Sequence, residues 1–192
     1  GAAYLLADLP HAQGRLVSDV DILVPEASLH QVEAALLAAG WGPLKLDPYD
    51  QRYSRRWMHE LPPLRHRARG TTVDVHHRIL PQTSRLNPDP RLLWADSTTL
   101  GDDKLRVLSP EDMVLHCAVH LFHDGDLNHG LRDLVQHYDI FGHVGADPEF
   151  WPRLTSRAQL LGVSRPLSYA LRYTKKLLGA QIPATALETL AT

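Results

Sequence analysis

From Ser18 to Val24 the chain reads Ser-Asp-Val-Asp-Ile-Leu-Val, and this run constrains the fold more than any other. Its β-branched, apolar character favours a strand, and strand side chains alternate between two faces. Asp19 and Asp21 therefore share one face, leaving Val20, Ile22 and Val24 to enter a core from the other. Packing alone gives no reason to set two carboxylates side by side, because like charges repel unless a proton or cation neutralises them. A second short run, Thr72-Val73-Asp74-Val75-His76, carries a third acid that a neighbouring strand could bring to the same place. An oxygen-only ligand set of this kind suits Mg²⁺, a hard ion that combines one or two carboxylates with substrate phosphates. The competing interpretation makes Asp19 and Asp21 exposed edge-strand charges that block aggregation, and Asp74 an ordinary strand carboxylate.

The same residues resemble the DNA polymerase β-like nucleotidyltransferase superfamily, and within it a bacterial group of uncharacterised nucleotidyltransferases. Members carry a Gly-Ala turn, an Arg ahead of an Asp-x-Asp strand, and an Asp-x-His strand. Here these read Gly1-Ala2-Ala3, Arg15, Ser18 to Val24, and Val73-Asp74-Val75-His76. Ser109-Pro110-Glu111-Asp112, His116, His120 and Leu131-Arg132-Asp133-Leu134 continue the likeness in order, so it spans most of the chain. The chain opens at Gly1 without a Met, and the strand and Lys that precede the turn in the family lie outside it. The resemblance implies an α+β fold: a polymerase β-like palm, with a mixed sheet and flanking helices, followed by a C-terminal helical bundle. It implies Asp19, Asp21 and Asp74 as catalytic residues and ligands of two Mg²⁺ ions. A nucleoside monophosphate would pass from a nucleoside triphosphate to a hydroxyl acceptor. Nucleotide-binding candidates are Gly1 and Ala2 of the turn, Arg15, Ser18, His76 and Arg78.

Alternation extends the acidic face. Asp74, His76 and Arg78 fall on one side and Val73, Val75, His77 and Ile79 mostly on the other. His76 then either tunes Asp74, contacts a phosphate, or is a satisfied structural histidine. Arg15 suits a phosphate by its guanidinium geometry, or else pairs with a surface acid. Arg52, Arg55, Arg56, Arg65, Arg67 and Arg69 form a basic stretch with Glu60 and Asp50 as its acids. It is read as the solvated face of an antiparallel hairpin, with an anion grip as the alternative.

The pattern along the chain changes class near residue 108, so domains are expected at 1–108 (α/β, truncated at its N-terminus) and 109–192 (helical). In the first part we expect a helix at 2–9, strands at 17–24, 41–46, 51–61, 64–67 and 71–80, a helix at 25–39 stopped by Gly40, a short helix at 90–95 and a strand pair within 98–108. In the second, helices are expected at 110–123, 131–143, 148–161 and 165–178, with another beginning at 183. Ser109-Pro110-Glu111-Asp112 gives a capping Ser, Pro in the first turn and acids that suit the helix dipole.

At 192 residues and 44% hydrophobic content the chain can bury a core. A net charge of −2 argues against a dedicated nucleic-acid binder, so RNA is possible as acceptor but a small molecule or protein is favoured. A lone cysteine, Cys117, rules out an intrachain disulfide framework, and no apolar run is long enough for a membrane span, so a cytoplasmic location is expected. His116, His120 and His123 line one helical face, as a zinc-dependent hydrolase could use. Cys117 stands where the metalloprotease pattern needs Glu, and His116 and His120 are read instead as packing at a domain interface. A catalytically silent relative that keeps the fold to bind a partner is the alternative to the transferase.

Overall fold

The computed structural model describes residues 2–9, 12, 17, 19–44, 47, 49, 55, 57–101, 105–123 and 130–190. It is a mixed α+β protein whose chain divides into two compact units, one of residues 1–5 and 15–91, the other of residues 6–14 and 92–192. A short helix α1, Ala2–Leu6, opens the chain and ends before Asp8, whose backbone turns to a φ of 51°.

The first unit is built on a four-stranded mixed sheet. Its strands are β1 (Asp19–Leu23), β2 (Trp41–Pro43), β3 (Leu64–His66) and β4 (Thr72–His76), in the spatial order β1-β4-β3-β2. β1 runs parallel to β4, whereas β3 is antiparallel to both β4 and β2. The parallel pair requires a crossover, and the chain between β1 and β2 supplies a 3-10 turn, Glu26–Ser28, and helix α2, Leu29–Ala38. Gly40, with a φ of 93°, follows α2 in the left-handed region that glycine enters without steric cost, and its N–H bonds the Leu37 carbonyl.

One face of the sheet makes the core: Leu61, Leu64, Val73 and Val75 are buried, with Ile22, Val24, Leu29, Val32, Leu36 and Trp41 packed against them. The alternation of β4 is that expected of a half-buried strand, with Val73 and Val75 buried and Thr72, Asp74 and His76 less so. Val20, on edge strand β1, stays 36% exposed and does not join Ile22 and Val24 in the core.

Two expectations fail here. Residues 51–61 do not form a strand in their described part: Arg55 and Trp57 are helical, and Met58 and His59 lie in a bend. β4 ends at His76 instead of running to Leu80. Of the basic stretch, Arg65, Arg67 and Arg69 are exposed on the β3–β4 hairpin and its turn as expected, Arg55 is helical, and Arg52 and Arg56 lie outside the described residues. Arg55 donates to Glu33, with Nη1 3.0 Å from Oε2, and Arg65 donates from Nε to the Gly70 carbonyl at 3.0 Å.

A short helix α3, Pro90–Ala95, spans the boundary between the units. The second unit contains the β5–β6 hairpin (Thr98–Leu100 and Leu105–Val107) and helices α4 (Pro110–His123), α5 (Gly130–Val144), α6 (Phe150–Leu160), α7 (Ser164–Leu178) and α8 (Ala184–Thr189). Helix α4 packs against α5, α6 and α7, and α8 against α6 and α7. The Ser109 Oγ accepts the Asp112 N–H at 3.2 Å, the capping bond the sequence announces. Asp112 itself is fully buried and receives both Nε and Nη2 of Arg157, at 2.8 and 2.7 Å, while Arg153 Nε bonds Glu111 at 2.8 Å. His116 and His120 are exposed on α4, while the apolar residues around them take the buried positions. Among the described residues no helix is long and apolar enough to cross a membrane.

Candidate active site

The parallel register of β1 on β4 sets Asp19 opposite Thr72 and Asp21 opposite Asp74. Neighbouring strands run about 4.8 Å apart, so paired residues project side by side from one face. Beyond the strand, the Val24 N–H bonds the His76 carbonyl at 2.8 Å and holds the two strand ends together. Asp74 and His76 share that face by alternation, and the His76 Nε2 lies 3.4 Å from Asp21 Oδ1.

A neighbour that sequence reasoning missed completes the cluster. Pro62 and Pro63 have no N–H to give the β3–β4 ladder, which breaks there and resumes one residue out of step, as an isolated bridge between Glu60 and His76. The Leu61 N–H bonds the Val75 carbonyl and the His77 N–H bonds the His59 carbonyl, each at 2.9 Å. Glu60 Oε2 then reaches 3.3 Å from His76 Nδ1, and the rings of His59 and His76 lie 5.2 Å apart between centroids. The signal in the sequence was slight: a His-Glu pair one residue ahead of a Pro-Pro break, in a stretch read as an ordinary strand.

The charges act on one another. Burial pushes the Asp74 carboxyl above the usual aspartate range, and the nearby charge of Asp21, with a smaller contribution from Asp19, pushes it further while His76 offsets part. Burial likewise raises Glu60, eased by His76 and reinforced by Asp74 and Asp21. For His76, burial alone favours the neutral ring, but the hydrogen bond to Asp21 and the charges of Glu60, Asp21 and Asp74 outweigh it and raise its pKa. Asp21, Asp74, Glu60 and His76 thus act on one another, and exposed Asp19 acts on Asp74.

Asp74 Oδ1 is buried and has no hydrogen-bond partner. A buried, unpartnered carboxylate oxygen beside another carboxylate is a costly arrangement that a cation would relieve, so these residues fit Mg²⁺ as a donor set. The three aspartates do not, however, bring their oxygens within 4.8 Å of one another; among the described residues His59, Glu60 and His76 do. Ligands for two ions held about 3.5–4 Å apart need not meet at one point.

The remaining candidates lie elsewhere or outside the described residues. Gly1, Arg15 and Ser18 are outside them, and Ala2 is the first residue of α1. Arg78 stands beyond the end of β4, where alternation no longer governs direction. Its guanidinium donates from Nη1 to Asn87 Oδ1 at 3.2 Å and from Nη2 to Glu26 Oε2 at 3.5 Å, while its Nε is buried without a hydrogen-bond partner. His77, the first residue after β4, is buried, which lowers its pKa.

A mixed sheet presenting carboxylates from a parallel strand pair is consistent with a nucleotidyltransferase fold. A family model described as uncharacterised nucleotidyltransferase matches residues 1–179, and the chain belongs to that family. No curated protein and no solved structure gives a match.

Proposed function

We propose that this protein is a Mg²⁺-dependent nucleotidyltransferase that moves a nucleoside monophosphate from a nucleoside triphosphate to a hydroxyl acceptor. The observation that carries the reading is Asp21 in register with Asp74, whose buried Oδ1 has no hydrogen-bond partner. On this reading the sheet is the palm of a polymerase β-like fold, in a domain of residues 1–108, and residues 109–192 form a helical bundle. Asp19, Asp21 and Asp74 would hold two Mg²⁺ ions, which when bound would neutralise triphosphate charge and lower the pKa of the acceptor hydroxyl. Asp74 works on the acceptor side, where a carboxylate oxygen takes the proton that the hydroxyl gives up. His76 is a positioning residue: with Asp21 at one ring nitrogen and Glu60 at the other, it orients Asp21 and does not reach for a phosphate. Gly1, Ala2, Arg15 and Ser18 are assigned to the triphosphate.

The test is incubation with Mg²⁺, triphosphates labelled at the α-phosphate, and a cell extract. A molecule in the extract should acquire label with wild-type protein and not with the Asp19→Asn, Asp21→Asn double variant. Triphosphates with Mg²⁺ should also raise the melting temperature of wild type only. An equal shift in both proteins, without label transfer, would favour a catalytically silent binding protein.

A further inference from the structure

We propose that His59, Glu60 and His76 form a second kind of metal site, one for a borderline transition cation such as Zn²⁺, next to the aspartate pair. Their three ligand atoms lie within 4.8 Å of one another, the one such group among the described residues. Tetrahedral zinc, with ligand bonds of about 2.0–2.1 Å, places its ligand atoms roughly 3.3–3.4 Å apart. The His76 Nδ1 to Glu60 Oε2 separation of 3.3 Å already has that value. Two imidazoles and one carboxylate make a nitrogen-rich set that suits zinc better than magnesium, and three protein ligands leave a fourth position for water or substrate.

The backbone holds these ligands in place. Glu60 is bridged directly opposite His76, and the flanking bonds Leu61 N–H to Val75 O and His77 N–H to His59 O close both sides of the bridge. The surroundings match a metal-bound histidine as well. A ligating ring usually gives its other N–H to a carboxylate, which fixes its orientation. Here His76 Nε2 faces Asp21 Oδ1 at 3.4 Å while Nδ1 faces Glu60. Asp21 would then connect the two sites, as a ligand in one and an outer partner in the other. The proposal does not rest on the transferase reading, because zinc binding is measured without nucleotide.

Titrating the metal-free protein with Zn²⁺ against a chelating indicator should reveal one tight site per chain, and Co²⁺ should give the visible absorption of a four-coordinate ion. His59→Ala should abolish the tight site and the Co²⁺ spectrum, and Glu60→Gln should do the same with a smaller change in shape. Asp21→Asn should weaken Zn²⁺ about 10–100-fold, the cost typical of losing an outer partner. His120→Ala, on the exposed histidine face of α4, should leave binding unchanged. Absence of a tight site in wild type, its survival in both His59→Ala and Glu60→Gln, or its loss in His120→Ala would overturn the proposal.

Discussion

The two units use the same acidic residues in opposite ways. In the helical unit an acid is buried against an arginine that matches it: Asp112 takes both arms of Arg157, and Glu111 with Asp147 shares Arg153. The charge is spent within the fold, and the bidentate geometry fixes helix α6 to α4. In the sheet unit Asp21 and Glu60 face His76; burial raises Asp74 and Glu60 as it raises Asp112, but where both Asp112 oxygens are bonded to Arg157, Asp74 keeps an unpartnered buried oxygen. Acids matched by a guanidinium fork tie helices together, whereas on the proposed reading the crowded acids of the sheet unit serve a cation.

The sharpest way to break that contrast is to neutralise one acid on each side. On the proposed reading Asp74→Asn removes a metal ligand and several kcal/mol of transition-state stabilisation, and should lower nucleotidyl transfer roughly 10³-fold. Its melting temperature without ligand should stay level or rise, because the change removes repulsion. A clear drop in melting temperature would mean that Asp74 serves the fold. Arg157→Met is the mirror experiment. It strands Asp112, which is 0% exposed, and should cost about 3–5 kcal/mol, read as a lower urea midpoint for the helical unit. Replacing the pair together, Asp112→Leu with Arg157→Met, should recover most of that loss if the acid has no other task.

Packing gives a smaller effect. Gly145 follows α5, and a Cβ there would run into the Phe141 carbonyl and come within 2.7 Å of Trp151 Cζ2. Neither group can retreat, as Trp151 Nε1 bonds the Gly145 carbonyl and the Gly145 N–H bonds Phe141 O. Gly145→Ala should therefore destabilise by about 1–3 kcal/mol in urea unfolding, with zinc binding to the sheet unit unchanged.

These particulars explain what could be read from the chain. Alternation is local, so the shared face of Asp74 and His76, and the buried one of Val73 and Val75, followed from the sequence once β4 was recognised. The capping bond of Ser109 was legible for the same reason, since cap and target lie three residues apart. Glu60 was not, because its place depends on a ladder that slips by one residue across Pro62-Pro63, and nothing local announces the slip. Arg78 was placed on the acidic face by extending period two past the point where the strand stops. Arg55 and Trp57 proved helical because short apolar runs do not separate a turn of helix from a strand. The Arg157 fork joins positions 45 residues apart, beyond any periodicity.

The smallest expected effect lies on the surface of the sheet unit, where one acid does follow the architectural pattern. Glu33 of α2 receives both guanidinium arms of Arg55, and those hydrogen bonds, more than the pair's charge attraction, lower its pKa against the opposing pull of burial. A depressed acid stabilises the fold at pH above the ordinary glutamate value of about 4.3, and that contribution fades as pH falls through the lower folded value. Arg55 is 40% exposed, so water and salt screen the pair. Glu33→Gln should cost no more than about 0.2–1 kcal/mol at neutral pH, less in high salt, and nothing once the solution is acid enough to protonate Glu33 in both states. An effect of several kcal/mol, or one that grows as pH falls, would show that Arg55 does more than brace the surface and would reopen the basic stretch as an anion grip.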